Sequence, residues 1–468
     1  MTIVDELGAA LGPAHVLTGA AIAAYRGDWT GKYTAAPMAV ARPASTAEVA
    51  ATLRIADRHR AAVVPAGGRT GLVGGCMTDG GLMLSLDRMT AIRALKPQSR
   101  VVVAEAGAIL SSLHDAADQH GLYFPLWFGA RGSATLGGAL STNAGGSNVL
   151  RYGSTRGLCL GLEVVLADGR VLDLMAELHK DNSGYDLRDL FIGAEGTLGV
   201  ITAAAMRLVP APRAHATAMI AVPSLPDALT LLNRLQAETG GRVEAFEYMS
   251  PAYMARLAQQ RPDLRRPFAA IPPATILAEI ATTAPHDATP DAQGLTPLTT
   301  LMETTLAAML EKGTVLDAEI ARSDAQRRAM WHLREMAAEV TFAVKPFIDT
   351  DISLPLDAVA GFLDAMPARL AALAPQATAI AIAHLGDGNI HYTAFPPALT
   401  PALYDAVVAA VEDEVALRGG SFSAEHGVGL SKRASMARRK NPVALAVMRS
   451  VKAALDPQGR MNPGKVLP

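Results

Sequence analysis

Glycine is concentrated in three short stretches in the first half of this 468-residue chain, and this limits the folds open to it. Five of the eleven residues from Pro65 to Gly75 are glycine. Two further stretches, Ser133–Gly146 and Gly193–Gly199, combine glycine with threonine, asparagine or glutamate. Successive backbone N–H groups in such turns can surround an anion that side chains would crowd out. One stretch alone is more often a tight turn, but three together predict loops that bind a long, phosphate-bearing ligand.

Two common phosphate-binding patterns are missing from the sequence. It contains neither G-x-G-x-x-G after a strand nor G-x-x-x-x-G-K-[ST], so the dinucleotide fingerprint and the P-loop do not explain the glycines. Composition also argues against nucleic acid as a partner, because 42 Lys and Arg residues balance 44 Asp and Glu residues. We therefore expect another phosphate-binding fold.

The remaining composition predicts a cytoplasmic globular protein. Half of the residues are apolar and 18% are charged, which allows a large buried core. Cys76 and Cys159 belong to no metal-binding spacing and favour a reducing compartment. Asp5 and Glu6 stand where a secretory signal would be basic and then apolar, and no apolar run reaches the roughly 18 residues of a membrane span. We expect no integral membrane segment.

Local signals predict a mixture of helices and strands. Ser45, with Glu48 three residues later, predicts a capped helix over residues 45–60. Short apolar segments bounded by Gly, Pro or Asp predict strands at residues 61–65, 82–86, 101–104, 160–167, 216–222, 379–384, 390–394 and 420–423. Residues 432–468 are expected to form a helix-like stretch.

The glycine-rich stretches, with Arg151–Ser154 and Lys180–Tyr185 between them, resemble the FAD domain of vanillyl-alcohol-oxidase-type flavoproteins. The most similar branch is that of the FAD-dependent D-2-hydroxyglutarate and D-lactate dehydrogenases, and the similarity runs from about Pro37 to the C-terminus. The resemblance implies an α+β fold. Its expected parts are a two-subdomain FAD-binding domain at 1–212, an α+β substrate or cap domain at 213–430, and a helical C-terminal segment at 431–468 that returns to the FAD site.

The resemblance also implies which residues contact FAD. They lie in the three stretches and near the C-terminus: Pro65, Gly67, Gly68, Arg69, Thr70, Gly71, Gly74, Ser133, Thr135, Gly137, Gly138, Thr142, Asn143, Gly145, Gly146, Glu195, Gly196, Gly199, Ile201 and Asn462. Relatives that attach FAD covalently use a histidine in the first loop, where this chain has Arg69 and Thr70. Non-covalent FAD is therefore expected.

A second set of candidate residues lies in the other half of the chain. The run from His384 to His391 predicts two strands around a Gly-Asp-Gly turn, which would bring both imidazoles to one side of a hairpin. Two imidazoles and a carboxylate suit zinc, manganese or iron, although a pair of histidines alone is more often structural. The resemblance assigns His384, His391 and Glu425 to a divalent metal, expected to be zinc.

The resemblance places three further residues at the chemistry: His426 as acid–base, with Arg334 and Asn389 near the substrate. A 2-hydroxy acid must lose a hydroxyl proton and a hydride, and metal coordination helps a neutral histidine to remove the proton. We hypothesise that His426 takes the proton, that the flavin N5 takes the hydride, and that Arg334 holds the carboxylate by a bidentate contact. By composition alone, Arg334 could be a solvated charge and His426 a hydrogen-bonded core histidine.

The substrate side chain and the reaction class stay open at this point. Ala338, Asp349 and Thr393 stand where D-2-hydroxyglutarate relatives carry threonine, lysine and asparagine. Asp349 would repel a second carboxylate, so D-lactate-like acids are as good candidates as D-2-hydroxyglutarate. Alternatives are an oxidase of the same fold, a flavin-binding subunit that needs a partner, and a metal-dependent hydrolase, which would leave the glycine loops unexplained. An electron-transfer flavoprotein or a quinone as acceptor, and a homodimer, are implied by the resemblance only.

Overall fold

A computed structural model describes residues 1–292 and 294–468. The chain divides into two compact units. The first contains residues 1–145, 153–210 and 426–468, and the second contains residues 146–152 and 211–425. The sequence placed the corresponding boundaries after residues 212 and 430.

The strands, in chain order, are β1 (Val16–Leu17), β2 (Ala39–Ala41), β3 (Val63–Ala66), β4 (Leu82–Ser85), β5 (Ile92–Lys96), β6 (Val101–Glu105), β7 (Leu122–Tyr123), β8 (Cys159–Val165), β9 (Val171–Leu174), β10 (Val200–Arg207), β11 (Val209–Pro210), β12 (Ala214–Val222), β13 (Val243–Met249), β14 (Ala274–Thr282), β15 (Asp317–Ile320), β16 (Ile348–Ser353), β17 (Thr378–His384) and β18 (Asn389–Phe395).

The α-helices are α1 (Ile3–Leu11), α2 (Thr46–Arg58), α3 (Leu110–Asp118), α4 (Leu136–Thr142), α5 (Val149–Tyr152), α6 (Thr155–Leu158), α7 (Arg188–Phe191), α8 (Leu225–Thr239), α9 (Pro251–Gln260), α10 (Pro285–Ala288), α11 (Pro297–Glu311), α12 (Asp324–Glu335), α13 (Ala337–Phe342), α14 (Val359–Leu373), α15 (Pro401–Leu417), α16 (Arg433–Arg439) and α17 (Pro442–Leu455). Among the described residues, no helix is long and apolar enough to cross a membrane.

The first unit is built on two main sheets. One has the order β1-β2-β4-β3, with β2 and β3 parallel to β4, and the other is antiparallel with the order β5-β6-β10-β8-β9. The predicted helix after Ser45 is confirmed as α2, since the Ser45 hydroxyl accepts the Glu48 N–H at 3.2 Å. The Glu48 carboxylate turns back to the N–H of Ala44 at 2.8 Å, so both residues cap the helix start.

The second unit is a seven-stranded antiparallel sheet with helices on both faces. Its strand order is β15-β12-β14-β13-β17-β18-β16. Because side chains alternate along a strand, Ala381 and Ala383 join a core with α8, α11, α14 and α15. Ile380 and Ile382 face the opposite way, into a smaller core with α9, α12 and α13. The smaller core marks the sheet face on which the candidate residues lie.

Three local expectations need correction. Residues 420–423 are not a strand: only Ser421 bridges to Ser353. Residues 432–468 do not form one helical stretch, because Asn441 and Pro442 start a separate helix, α17. Residues 146–152, expected in the FAD domain, belong to the second unit, where Arg151 Nη1 lies 2.9 Å from a Glu244 carboxylate oxygen.

Candidate active site

The first glycine-rich loop presents a run of unused backbone donors. Within the part of the chain that the structure describes, the N–H groups of residues 68–71 have no hydrogen-bond partner. Gly71 also has open space around the position of a Cβ atom. A row of unpaired amides in a turn is suited to the oxygens of a phosphate or pyrophosphate.

Other glycines in these loops are needed for close packing inside the protein. A Cβ on Gly67 would collide with the Thr135 hydroxyl, and one on Gly68 would collide with the Ser133 carbonyl oxygen. Gly137 lies against Ala106 in the same way, and Gly199 lies against Val164 and Phe191. The first two loops therefore touch through backbone, and a larger residue at either contact would separate them.

Several residues of the predicted FAD site have left-handed backbone conformations although they are not glycine. Their φ angles are +56° for Arg69, +49° for Asn143, +52° for Glu195 and +44° for Asn462. Such conformations are costly for residues with side chains and are found where surrounding structure fixes them. Asn143 is fixed as the residue that caps the C-terminal end of α4, and its side-chain oxygen accepts the Arg156 N–H at 3.0 Å.

Asn462 joins the C-terminal segment to two of the glycine-rich loops. Its amide Nδ2 donates to the carbonyl oxygens of Glu195 at 2.6 Å and Gly75 at 3.0 Å. The residue is 2% exposed, and its Oδ1 is buried without a partner among the described residues. A buried acceptor and a run of unpaired loop amides in the same unit fit a ligand that has both phosphates and polar ring atoms, as FAD does.

The other predicted side chains of this unit support the loops. Thr135 caps α4 by accepting the Gly138 N–H at 3.3 Å, and the Thr142 hydroxyl donates to the Gly138 carbonyl at 3.2 Å. Ile201 is buried in the core at the start of β10. Gly196 has a φ of +71° and lies against the Pro65 ring.

In the second unit, the candidate residues lie in rows across one face of the sheet. We call each row a rank: it contains the residues that are paired on neighbouring strands. Strand pairing places Glu247, His384 and Asn389 in one rank across β13, β17 and β18. The next rank holds Ile382, His391 and Asp351, and the third holds Ile380, Thr393 and Asp349. Successive ranks are two residues apart along each strand, which corresponds to roughly 7 Å.

The predicted hairpin is confirmed, and it brings the two imidazoles together. Strand β17 ends at His384 and β18 begins at Asn389. The ring centroids of His384 and His391 lie 5.6 Å apart with the rings nearly perpendicular. Gly388 in the turn has a φ of +82°, and a Cβ there would collide with the Leu354 carbonyl oxygen, so the turn requires glycine.

A buried carboxylate, Glu247, lies between two of the predicted site residues. One of its oxygens accepts from Arg334 Nε at 2.8 Å, and the other lies 2.8 Å from His384 Nδ1. Burial by itself raises the pKa of Glu247, but the two cationic neighbours together hold its pKa below the usual range. Burial opposes the charge on His384, yet Glu247 raises the pKa of His384 to about 9. Glu247 could not be predicted from the sequence, because its partner His384 lies 137 positions away along the chain.

Arg334 is almost completely buried in this arrangement. It is 8% exposed, and its Nη2 has no hydrogen-bond partner among the described residues. A buried guanidinium whose Nη2 amino group is unused is a ready partner for a carboxylate.

One grouping of possible metal ligands in this unit contains Asp351, which was not among the residues predicted from the sequence. Asp351, His391 and Glu425 offer ligand atoms within 4.8 Å of one another. His391 Nε2 lies 3.6 Å from Glu425, and its Nδ1 lies 3.9 Å from Asp351. Pairing of β16 with β18 puts Asp351 directly opposite His391 on the same face of the sheet. His384 belongs to the neighbouring rank, with its Nδ1 turned to Glu247.

Asp351 is itself held in place by several donors. Asn389 Nδ2 donates to it at 2.9 Å and also to the Ile352 carbonyl at 3.1 Å. The backbone N–H of Glu425 donates to its other oxygen at 3.1 Å. The predicted residue Asn389 therefore orients Asp351. His426 directly follows Glu425 in the chain and is the first residue of the last segment of the first unit.

A second acidic group, on the same sheet, is an ion-pair network. Glu279 accepts from Arg327 at 2.6 and 2.7 Å and from Trp331 Nε1 at 2.9 Å. His215 and Glu244 lie close to it. The arginines neutralise these carboxylates, so we assign the group no metal.

Known families match almost the whole chain. Residues 37–175 match the family described as FAD binding domain, and residues 211–466 match FAD linked oxidases, C-terminal domain. D-2-hydroxyglutarate dehydrogenase of Xanthomonas citri pv. viticola is 36% identical over 448 residues, which cover 94% of this chain and 92% of the relative. The mitochondrial D-2-hydroxyglutarate dehydrogenase of Bos taurus is 38% identical, covering 94% and 79% respectively.

Solved structures show the same fold at low sequence identity. p-Cresol methylhydroxylase superposes with a TM-score of 0.75 at 16% identity, covering 99% of this chain and 96% of that one. 4-Ethylphenol oxidase from Gulosibacter chungangensis superposes with a TM-score of 0.70 at 18% identity, with the same coverage. The predicted α+β, two-subdomain FAD-binding fold is confirmed.

Proposed function

This chain belongs to the FAD-linked oxidase family, and we propose that it is an FAD-dependent dehydrogenase that oxidises a D-2-hydroxy acid to the 2-oxo acid. FAD, bound non-covalently, would supply the hydride acceptor. The unpaired amides of residues 68–71 and the buried Oδ1 of Asn462 are the polar groups that would hold it.

The observation that carries the proposal is the unused Nη2 amino group of buried Arg334. Glu247 accepts the Nε of Arg334 and so fixes the guanidinium plane. Nη2 lies in the same plane and has no hydrogen-bond partner among the described residues. A substrate carboxylate bound there would have its 2-carbon oriented on the face that carries His384 and His391.

We propose His384, His391 and Glu425 as ligands of a divalent metal, with zinc as the first candidate and Asp351 as a further possible ligand. Glu247 forms a hydrogen bond with Nδ1 of His384, so that Nε2 would be the atom that binds the metal. In this arrangement a carboxylate orients a histidine ligand. A metal ion there would lower the pKa of the substrate hydroxyl. His426, next to Glu425 in the chain, is the proposed base that receives the hydroxyl proton.

The substrate is proposed to be a D-2-hydroxy acid whose side chain need not be acidic. Asp349 lies one rank beyond His391, and its carboxylate accepts the Thr393 hydroxyl at 2.8 Å. A second substrate carboxylate near this rank would meet a negative group. D-Lactate-like acids are therefore proposed alongside D-2-hydroxyglutarate. An electron-transfer flavoprotein or quinone as acceptor, a homodimer and a cytoplasmic location remain predictions.

Arg334→Met tests the carboxylate contact. Because the variant cannot make a charge-assisted bond, kcat/KM for a D-2-hydroxy acid is expected to fall by about 100-fold or more, with FAD content unchanged. The matched substrate is the methyl ester of the same acid, which lacks the charge. Wild type should use the ester poorly, and the variant should treat acid and ester alike. An unchanged preference of the variant for the free acid would contradict the assignment.

A further inference from the structure

Glu195 buries a carboxylate and uses both oxygens on the backbone of one turn. One oxygen accepts the Val428 N–H at 2.6 Å, and the other accepts the Gly429 N–H at 2.8 Å. The residue is 8% exposed. The resemblance had implied that Glu195 contacts FAD, but its side chain is turned to the protein's own backbone. Two amides on one buried carboxylate are strong, directional contacts.

The backbone of Glu195 is also held in place. Its N–H donates to the Ser141 carbonyl at 2.8 Å, and its own carbonyl accepts from Asn462 Nδ2 at 2.6 Å. Its φ of +52° is maintained by these contacts on both sides. The backbone that carries the Glu195 carboxylate is therefore held in one position, next to the second glycine-rich loop.

The turn at residues 427–429, which Glu195 binds, is also held by hydrogen bonds from the following residues to the first glycine-rich loop. The N–H groups of Leu430 and Ser431 donate to the Val73 carbonyl at 2.8 and 3.3 Å. Gly429 has a φ of +49°, and a Cβ on it would collide with that same carbonyl oxygen. At Gly427, with a φ of +80°, a Cβ would lie 2.8 Å from a Glu195 oxygen. The turn has no room to shift while both loops hold it.

We infer that Glu195 is a positioning residue for His426: by fixing the turn at residues 427–429, its carboxylate fixes the backbone from which the proposed base extends. This inference rests on the proposed function. His426 immediately precedes Gly427, so freedom of the turn becomes freedom of the imidazole. Proton transfer requires donor and acceptor within hydrogen-bond reach, and a misplacement of about 1 Å can cost about 100-fold in rate.

Glu195→Gln is the first test. The variant keeps the size of the side chain but replaces one acceptor by an NH₂ group that faces a backbone N–H. We expect FAD content and KM to stay as in wild type while the rate of anaerobic flavin reduction falls by about 10- to 100-fold. The solvent deuterium isotope effect on flavin reduction should rise, because proton transfer becomes slower than hydride transfer. A purely structural role would leave that isotope effect unchanged.

Gly427→Ala tests the same idea with Glu195 intact. Its Cβ would press on the Glu195 carboxylate and displace the turn, so it should raise the isotope effect as well. Glu163→Gln is the matched control: this half-buried carboxylate of the same unit accepts from Thr46, Thr202 and Arg93, away from the turn. The control should leave the isotope effect at the wild-type value.

His426→Ala, measured in parallel, distinguishes a failure of the positioning role of Glu195 from a failure of the proposed base. If His426→Ala reduces its flavin slowly but Glu195→Gln and Gly427→Ala match wild type in rate and isotope effect, the positioning role is overturned alone. If Glu195→Gln loses FAD instead, Glu195 serves the cofactor and the inference is also overturned. If His426→Ala reacts like wild type, the proposed base is wrong.

Discussion

At the scale of single residues, the candidate site depends on buried charges that are satisfied in pairs. Glu247 neutralises Arg334 and orients His384, and Glu279 on the neighbouring strand β14 neutralises Arg327. Removing one member of a buried pair leaves an uncompensated charge, which costs more than an exposed pair ever contributes. Charge substitutions on this face of the second unit are therefore expected to be costly.

The Glu279–Arg327 pair predicts a dependence of stability on pH. Burial raises the pKa of Glu279, but the hydrogen bonds and charge of Arg327 outweigh it and hold the pKa below its ordinary value. A lowered folded pKa means that the stabilisation is present above the unfolded pKa of about 4.3 and is lost as pH falls through the folded value. Glu279→Gln should lower the free energy of unfolding by about 3 kcal/mol at neutral pH, and less in acid.

Urea unfolding at neutral and acidic pH measures this difference. Glu319→Gln is the control, since Glu319 on strand β15 of the same sheet pairs with the exposed side chain of Arg265 and should matter little at either pH. A deficit in Glu279→Gln that is constant from neutral to acid would show that the ion pair is not its source.

At the scale of elements, the β17–β18 hairpin sets the distance between His384 and His391. Gly388→Ala is expected to destabilise the protein by more than about 2 kcal/mol and to weaken metal binding, because the new Cβ meets the Leu354 carbonyl and the φ is positive. Gly419→Ala is the matched control, with a φ of +71° and open space, and should cost about 1 kcal/mol without loss of metal. Thermal unfolding and metal titration would distinguish them; equal effects would contradict the steric argument.

Local sequence signals predicted the elements whose causes are local. Ser45 and Glu48 predicted α2, and the Gly-Asp-Gly turn predicted the hairpin that carries the two histidines. The strand expected at residues 420–423 failed because apolar and small residues alone do not create a pairing partner. Glu247, Asp351 and the grip of Glu195 on residues 428 and 429 depend on contacts between distant parts of the chain, for which a single sequence carries little signal.

At the scale of the whole molecule, the last residues of the chain return to the start of the first unit. Met461 bridges to Val63, and Asn462 reaches Gly75 and Glu195. The C-terminus thus contacts two of the glycine-rich loops of the proposed FAD site, a return that the sequence could indicate only through family resemblance.

Asn462→Ala should weaken FAD binding by about 10- to 100-fold, since it removes two buried hydrogen bonds and the buried Oδ1. Asn441→Ala is the control from the same segment: Asn441 caps α17, so its loss should cost about 1 kcal/mol of stability and leave FAD affinity unchanged. Flavin fluorescence titration of the apoprotein measures both. Equal FAD affinities in wild type and Asn462→Ala would contradict this role.

The most direct measurement is the visible absorbance of the flavin in the purified protein, mixed without oxygen with either enantiomer of a 2-hydroxy acid. D-Lactate-like acids or D-2-hydroxyglutarate should bleach the flavin, while their L-enantiomers should leave it oxidised. A flavin that stays oxidised with every D-acid, or is bleached equally by both enantiomers, would contradict it.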